Sequence, residues 1–232
     1  MHSDSMMPTT LKYESDQMMN VWQHFLTGAP ALSHIDVYRH DLVDIVRQAL
    51  SDMIATTYMR LEKDFPDASV PGSVIVSYCE RLLQLIADMD LILGTNRNYL
   101  LGTWLSKAKF MAQSPEEEEY YEYQARNQIT RWGENNGNAL NDYASKQWAG
   151  LVGTYYYERW QIFLTQVMQS AQTRPSKLDF KHITERTERF EIEWQLKRNE
   201  YPTTTRFDTM QVAHVLYEKY SQDQNAKIAI YS

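Results

Sequence analysis

A chain of 232 residues is long enough to bury a sizeable core, and its 8 Gly and 7 Pro are too few for the many turns of an all-β sandwich or barrel. Its formal net charge of −7 argues against a nucleic-acid partner, which would require a concentrated basic face. No apolar run is long enough to span a membrane, and the opening MHSDSMMPTT lacks the basic start and apolar centre of a signal peptide.

Residues 1–14 read as a disordered tail, and 15–232 as one all-α domain, an irregular bundle of about eight helices. A short helix before Pro30 carries Met18, Met19, Trp22, Phe25 and Leu26. From Asp36 to Lys63 apolar residues recur at three- and four-residue steps, until Phe65-Pro66 stops them. The next helix begins near Pro71-Gly72-Ser73, carries Val74 to Ile92, and ends at Gly94. Another opens at Tyr99 and runs to Ala112. Ser114-Pro115-Glu116-Glu117 then forms a capping box, with serine as cap, proline at the first helical position and Glu117 closing it. The acidic run Glu116 to Glu119 sits at the positive end of that helix's dipole, so it reads as capping rather than as a cation site. The helix breaks at an elbow, Trp132 to Asn141, and a long one is expected from Asp142 to Gln172. Arg174-Pro175-Ser176 ends it; further helices cover Leu178 to Asn199 and the stretch from the N-cap Asp208 onward.

Catalytic signatures are missing from this pattern. No H-E-x-x-H motif arranges the six histidines for zinc, and there is no nucleophile elbow, phosphate loop or dinucleotide turn. His40-Asp41 reads as a surface histidine beside a capping aspartate, and Cys79, on an apolar stripe, as a small core residue. The lone cysteine excludes an internal disulfide framework, and no N-glycosylation sequon is present. Neither a metal nor a cofactor is expected. The chain does offer a stacking surface. Trp132 and Tyr143 flank the elbow and can project to the same side, where aromatic faces suit the apolar C–H face of a sugar. Asn135, Asn136, Asn138 and Asn141 fit either of two roles, hydrogen bonding to hydroxyls or an acetamide, or plain turn chemistry. The remaining aromatics, Trp148, Tyr155 and Trp160, read as core.

Longer runs of residues carry a family resemblance. They include Val21-Trp22 with Leu26-Thr27-Gly28-Ala29-Pro30, then Tyr38-Arg39-His40-Asp41-Leu42-Val43-Asp44, and Leu100-Leu101-Gly102-Thr103-Trp104-Leu105. Ala125-Arg126-Asn127-Gln128-Ile129-Thr130-Arg131-Trp132-Gly133 continues the pattern. The densest run is Asp142-Tyr143-Ala144-Ser145-Lys146-Gln147-Trp148-Ala149-Gly150-Leu151-Val152, with Arg159-Trp160, Arg198, Tyr201-Pro202 and Asp208-Thr209 after it. The chain resembles the C-terminal helical region of alpha-N-acetylglucosaminidases, glycoside hydrolases that remove terminal N-acetylglucosamine from heparan sulfate.

The resemblance implies a three-part enzyme in which this region packs on a catalytic (β/α)-barrel. The two catalytic glutamates of that family lie on the barrel, so no residue of this chain inherits a catalytic role. It implies that the helical region completes the sugar pocket through the elbow, with Trp132, Tyr143 and Leu140 as substrate-binding residues. The implied partners are the barrel and an N-acetylglucosamine-terminated glycan, in a lysosomal or secreted setting. Two departures stand out: Glu134 replaces the proline that usually comes after Trp-Gly, and the elbow is slightly longer than is usual, which shifts the register of Leu140. A free-standing, non-catalytic helical binding module derived from the same region is the alternative.

Overall fold

Apolar residues spaced three and four apart organise the chain into eight α-helices within residues 13, 15–133, 141–173 and 177–222, which the structure, a computed structural model, describes. Of the expected N-terminal tail only Tyr13 is among them, its hydroxyl donating to Asp52. The helices are α1 (Ser15–Leu32), α2 (Asp36–Asp64), α3 (Gly72–Leu93), α4 (Leu101–Phe110), α5 (Pro115–Gln128), α6 (Tyr157–Gln172), α7 (Phe180–Leu196) and α8 (Thr209–Ser221). A 3₁₀ turn, Arg97–Tyr99, precedes α4, and a π-helical turn, Val152–Tyr156, leads into α6. No strand occurs among the described residues beyond an isolated parallel bridge between Leu100 and Ala149. The expected all-α architecture is the one observed.

Helix α3 is the hub, because it buries two sides and leaves only a stripe through Ser77, Glu80, Gln84 and Ala87 in solvent. One side, through Leu85, Ile86, Met89 and Leu93, meets Trp22 of α1, Val43, Val46 and Leu50 of α2, and Ala213 and Leu216 of α8. The other, through Ile75, Cys79 and Leu82, meets Leu164, Val167 and Ala171 of α6. A separate cluster joins Leu101 and Leu105 of α4, Ala125 of α5, Leu151 and Tyr155, and Trp194 of α7. Each such aliphatic side chain, fully removed from water, contributes about 1.5–3 kcal/mol.

Local signals set most boundaries. The Ser114 hydroxyl caps α5 as its spacing predicts, accepting from the Glu117 amide at 3.2 Å, but the Glu117 carboxylate reaches one residue past the cap and takes the Gln113 amide at 2.8 Å instead of that of Ser114. Asp208 caps α8 by accepting from the Gln211 amide at 3.0 Å. Pro30 lies inside α1, which runs two residues past it to Leu32. Asp41 does not cap α2, which starts at Asp36; it lies a turn further in, 3.5 Å from His40, with both side chains well exposed.

The long helix expected from Asp142 begins only at Leu151. Residues 141–150 instead form turns and an irregular strand-like segment. The reason is where their backbone groups go. The Asp142 amide donates to the Thr130 carbonyl at 2.7 Å, and Ala149 exchanges bonds with the Tyr99 carbonyl and the Leu101 amide. Asp142 and Ser145 take the left-handed conformation, as does Gly150 with φ 89°. None of these arrangements is compatible with a continuing right-handed helix.

Gly102, inside α4, permits the closest helix–chain approach. A Cβ there would overlap the carbonyl oxygens of Tyr201 and Pro202, which as backbone atoms cannot swing aside. Gly102→Ala is expected to destabilise the fold by about 1–3 kcal/mol, the range for overpacking a tight site, measured by urea unfolding. Cys79 provides a second check. Burial pushes its thiol up to about 12, whereas an unfolded thiol ionises near about 8.5. With the folded value the higher, its contribution to stability is complete below the unfolded value and is lost as pH rises between the two. The native chain should therefore resist iodoacetamide at about pH 8, and alkylation should track global unfolding. Rapid labelling of folded protein would mean that the α3–α6 seam opens locally.

Candidate functional site

The elbow starts where α5 runs out of helical partners. The Asn127 carbonyl accepts from both Thr130 and Trp132, the latter at 2.8 Å, and Trp132 adopts φ 54°. The left-handed residue comes three positions after the C-cap Ile129, beyond the place of the usual glycine stop, and it turns the chain away from the axis of α5. The Asn127 side chain completes the clamp, its Oδ1 accepting from the Gly133 amide at 3.0 Å and from Gln195 Nε2 at 3.0 Å. One residue thus fixes the chain's exit with both of its oxygens.

The return limb is fixed by Asp142. Its amide is held by Thr130, and its carboxylate accepts from Tyr156 Oη at 3.2 Å and from Arg159 Nη1 at 2.6 Å. Arg159 in turn reaches Glu191 Oε1 through Nε at 3.0 Å. Its guanidinium also lies 5.2 Å from the Tyr155 ring centroid and 5.9 Å from that of Tyr156. Burial works against the charge on Arg159, but Asp142, Tyr155 and Glu191 outweigh it and raise its pKa above the usual value. Burial raises the Glu191 carboxyl despite the opposing pull of Arg159, and it raises the phenols of Tyr155 and Tyr156 as well. The Arg159 guanidinium lies between the two carboxylates and bonds both, which makes the cluster a clamp joining the return limb to α6 and α7.

Held at both feet, the elbow brings Trp132 and Tyr143 together. Their ring centroids are 5.9 Å apart at 71°, an edge-to-face contact, with Trp132 37% and Tyr143 71% exposed. The expected projection of both rings to one side is thus present, but neither begins or ends a helix as expected: α5 stops at Gln128 and the helix after the elbow starts at Leu151. Leu140, with Asn135, Asn136 and Asn138, lies outside the described residues. Beside Trp132 runs a mostly apolar groove of about 610 Å³ between α4 and α5, lined by Trp104, Met111, Tyr121, Gln128 and Trp132 among others. Met111 is 74% exposed and its neighbour Phe110 91%. Among the described residues no group of His, Cys, Asp or Glu is arranged to hold a metal ion, and no helix is long and apolar enough to cross a membrane.

Four residues of this site carry no mark in the sequence pattern: Asn127, Asp142, Glu191 and Gln195. Asn127 and Asp142 fall within two of the runs that carry the resemblance, which is the signal that could have raised them. Glu191 and Gln195 sit on an ordinary amphipathic helix, where polar residues are presumed solvated.

A family model described as the alpha-N-acetylglucosaminidase (NAGLU) C-terminal domain matches residues 1–219. Human alpha-N-acetylglucosaminidase is 33% identical over 220 residues, which cover 92% of this chain and 28% of the human protein. Among solved structures, CpGH89 from Clostridium perfringens in complex with its substrate GlcNAc-alpha-1,4-galactose superposes with a TM-score of 0.81 at 22% identity, covering 95% of this chain and 25% of that one. The Clostridium perfringens family 89 glycoside hydrolase in complex with 2-acetamido-1,2-dideoxynojirmycin gives a TM-score of 0.78 at 21% identity, over 91% of this chain and 24% of that one. These structural likenesses concern the fold, and the chain spans about a quarter of the length of each relative. The chain belongs to the alpha-N-acetylglucosaminidase C-terminal domain family.

Proposed function

We propose that this chain acts as the helical domain of an alpha-N-acetylglucosaminidase, packing on a catalytic (β/α)-barrel and closing one side of the pocket for the terminal alpha-linked N-acetylglucosamine of heparan sulfate. The observation that carries this reading is the exposed Trp132–Tyr143 pair, anchored at both feet. Rings fixed in place offer an apolar face to a pyranose with little side-chain ordering left to do on binding. The reading brings with it a lysosomal or secreted setting.

Packing on the barrel draws support from the α4–α5 groove. Its apolar lining, with Met111 beside the highly exposed Phe110, is the kind of surface a folded domain covers with another. The catalytic glutamates belong to the barrel in this reading, which leaves the present chain to bind and orient the sugar.

Assay of the purified chain on an aryl α-N-acetylglucosaminide is expected to give no turnover. Within the longer enzyme that carries this domain, Trp132→Ala is expected to raise KM about tenfold, equivalent to about 1.4 kcal/mol of binding, with a smaller change in kcat. Hydrolysis by the chain alone, abolished by one substitution within it, would overturn the division of labour. An unchanged KM in Trp132→Ala would remove the elbow from the pocket.

A further inference from the structure

Resting on the proposed role of Trp132 and Tyr143, we infer that Glu191 and Gln195 of α7 are positioning residues that set the spacing and orientation of that ring pair. The two lie four residues apart, hence one turn apart on the same helix face. Both are only 3% exposed. A helix does not bury two polar side chains in this way without partners for them. Here each partner leads to a different foot of the elbow.

Gln195 governs the outgoing foot. Its Nε2 donates to Asn127 Oδ1 at 3.0 Å and lies 3.4 Å from Thr130 Oγ1. That bond orients the carboxamide that also receives the Gly133 amide, next to Trp132. Glu191 governs the returning foot. By accepting from Arg159 Nε at 3.0 Å, it turns the guanidinium so that Nη1 meets Asp142 at 2.6 Å, next to Tyr143. Arg131 also faces Glu191 electrostatically, and the rings of Tyr155 and Tyr156 flank Arg159. The Thr130 carbonyl, which takes the Asp142 amide at 2.7 Å, joins the two limbs and closes the circuit. Since both braces leave from one rigid helix, the rings keep their mutual geometry although each stands on irregular backbone.

The inference can be tested on the full chain carrying 5-fluorotryptophan, whose six indoles give fluorine NMR resonances, with that of Trp132 assigned by Trp132→Phe. Gln195→Met, similar in size but without the donor, is expected to shift or broaden the Trp132 resonance and leave that of Trp22, in the α1–α2–α8 core, in place. Glu191→Met should do the same through Tyr143, whereas Glu191→Gln, which keeps an acceptor for Arg159, should restore the native resonance. No change at Trp132 in either methionine variant would overturn the proposal. So would a shared displacement of all six resonances, the mark of residues that serve general core packing. No sugar enters this measurement, so its failure denies the brace alone, whereas the KM of Trp132→Ala in the longer enzyme reports on the lip alone.

Discussion

A half-buried carboxylate on α3 marks where the irregular part of the chain rejoins the helices. Asp90 accepts the amides of Gly150 and Gly153, each at 2.7 Å. Burial holds its carboxyl above the usual range, and the two amides offset only part of that rise. An isolated buried carboxylate would be costly, so these bonds and the carboxylate require one another. A Cβ on Gly153 would collide with the Asp90 carboxylate, and Gly150 takes a left-handed turn against the Tyr201 ring. The hub helix thereby fixes the first turn of the segment that leads to α6.

That first turn is π-helical, and its extra residue rotates the side chains of α6 about the helix axis. Tyr155 faces into the third cluster against Trp194, with ring centroids 5.0 Å apart, while Tyr156 and Arg159 reach Asp142. The Asp90 anchor holds the start of the π turn, which leads by one helical turn to Arg159, the residue that bridges Asp142 and Glu191. The clamp under Tyr143 thus connects to a carboxylate that touches neither residue of the ring pair. A comparable tie holds α5. The fully buried Arg126 bonds Glu122 at 2.6 Å and the Asn199 carbonyl at 3.2 Å, between the rings of Trp194 and Tyr201. It fixes the helix from which Asn127 projects.

Legibility in the sequence depends on the range of the interaction. The caps at Ser114 and Asp208 were readable because cap and partner lie three residues apart. The helix expected from Asp142 failed because that stretch gives its backbone groups to Thr130, Tyr99 and Leu101, and takes its anchor from Asp90, sixty residues away. Its apolar residues carry helical spacing regardless, and spacing is silent about such distant acceptors. Trp132 and Tyr143 were identifiable through the resemblance and through their place at the elbow. Glu191 and Gln195 were not, since nothing in a polar residue on an amphipathic helix announces that it is buried.

Backbone strain links these observations to binding. Trp132 and Asp142 hold φ values of 54° and 61°, and a non-glycine residue in that region costs on the order of 1 kcal/mol or more. Two such residues at the two feet of one elbow persist only where the surroundings fix them. The Asn127 clamp fixes the first and the Asp142–Arg159–Glu191 chain the second. The folding energy of the helices therefore offsets the strain in advance, before any ligand arrives. In the proposed role, a ring pair held this way would meet a sugar face already oriented, with little conformational entropy left to lose at the moment of contact. A floppy elbow with the same two aromatics would have to order both limbs on binding, against about 1–2 kcal/mol for each residue fixed. The described limbs of the irregular segment accordingly take their shape from α5, α6 and α7 as well as from their own residues.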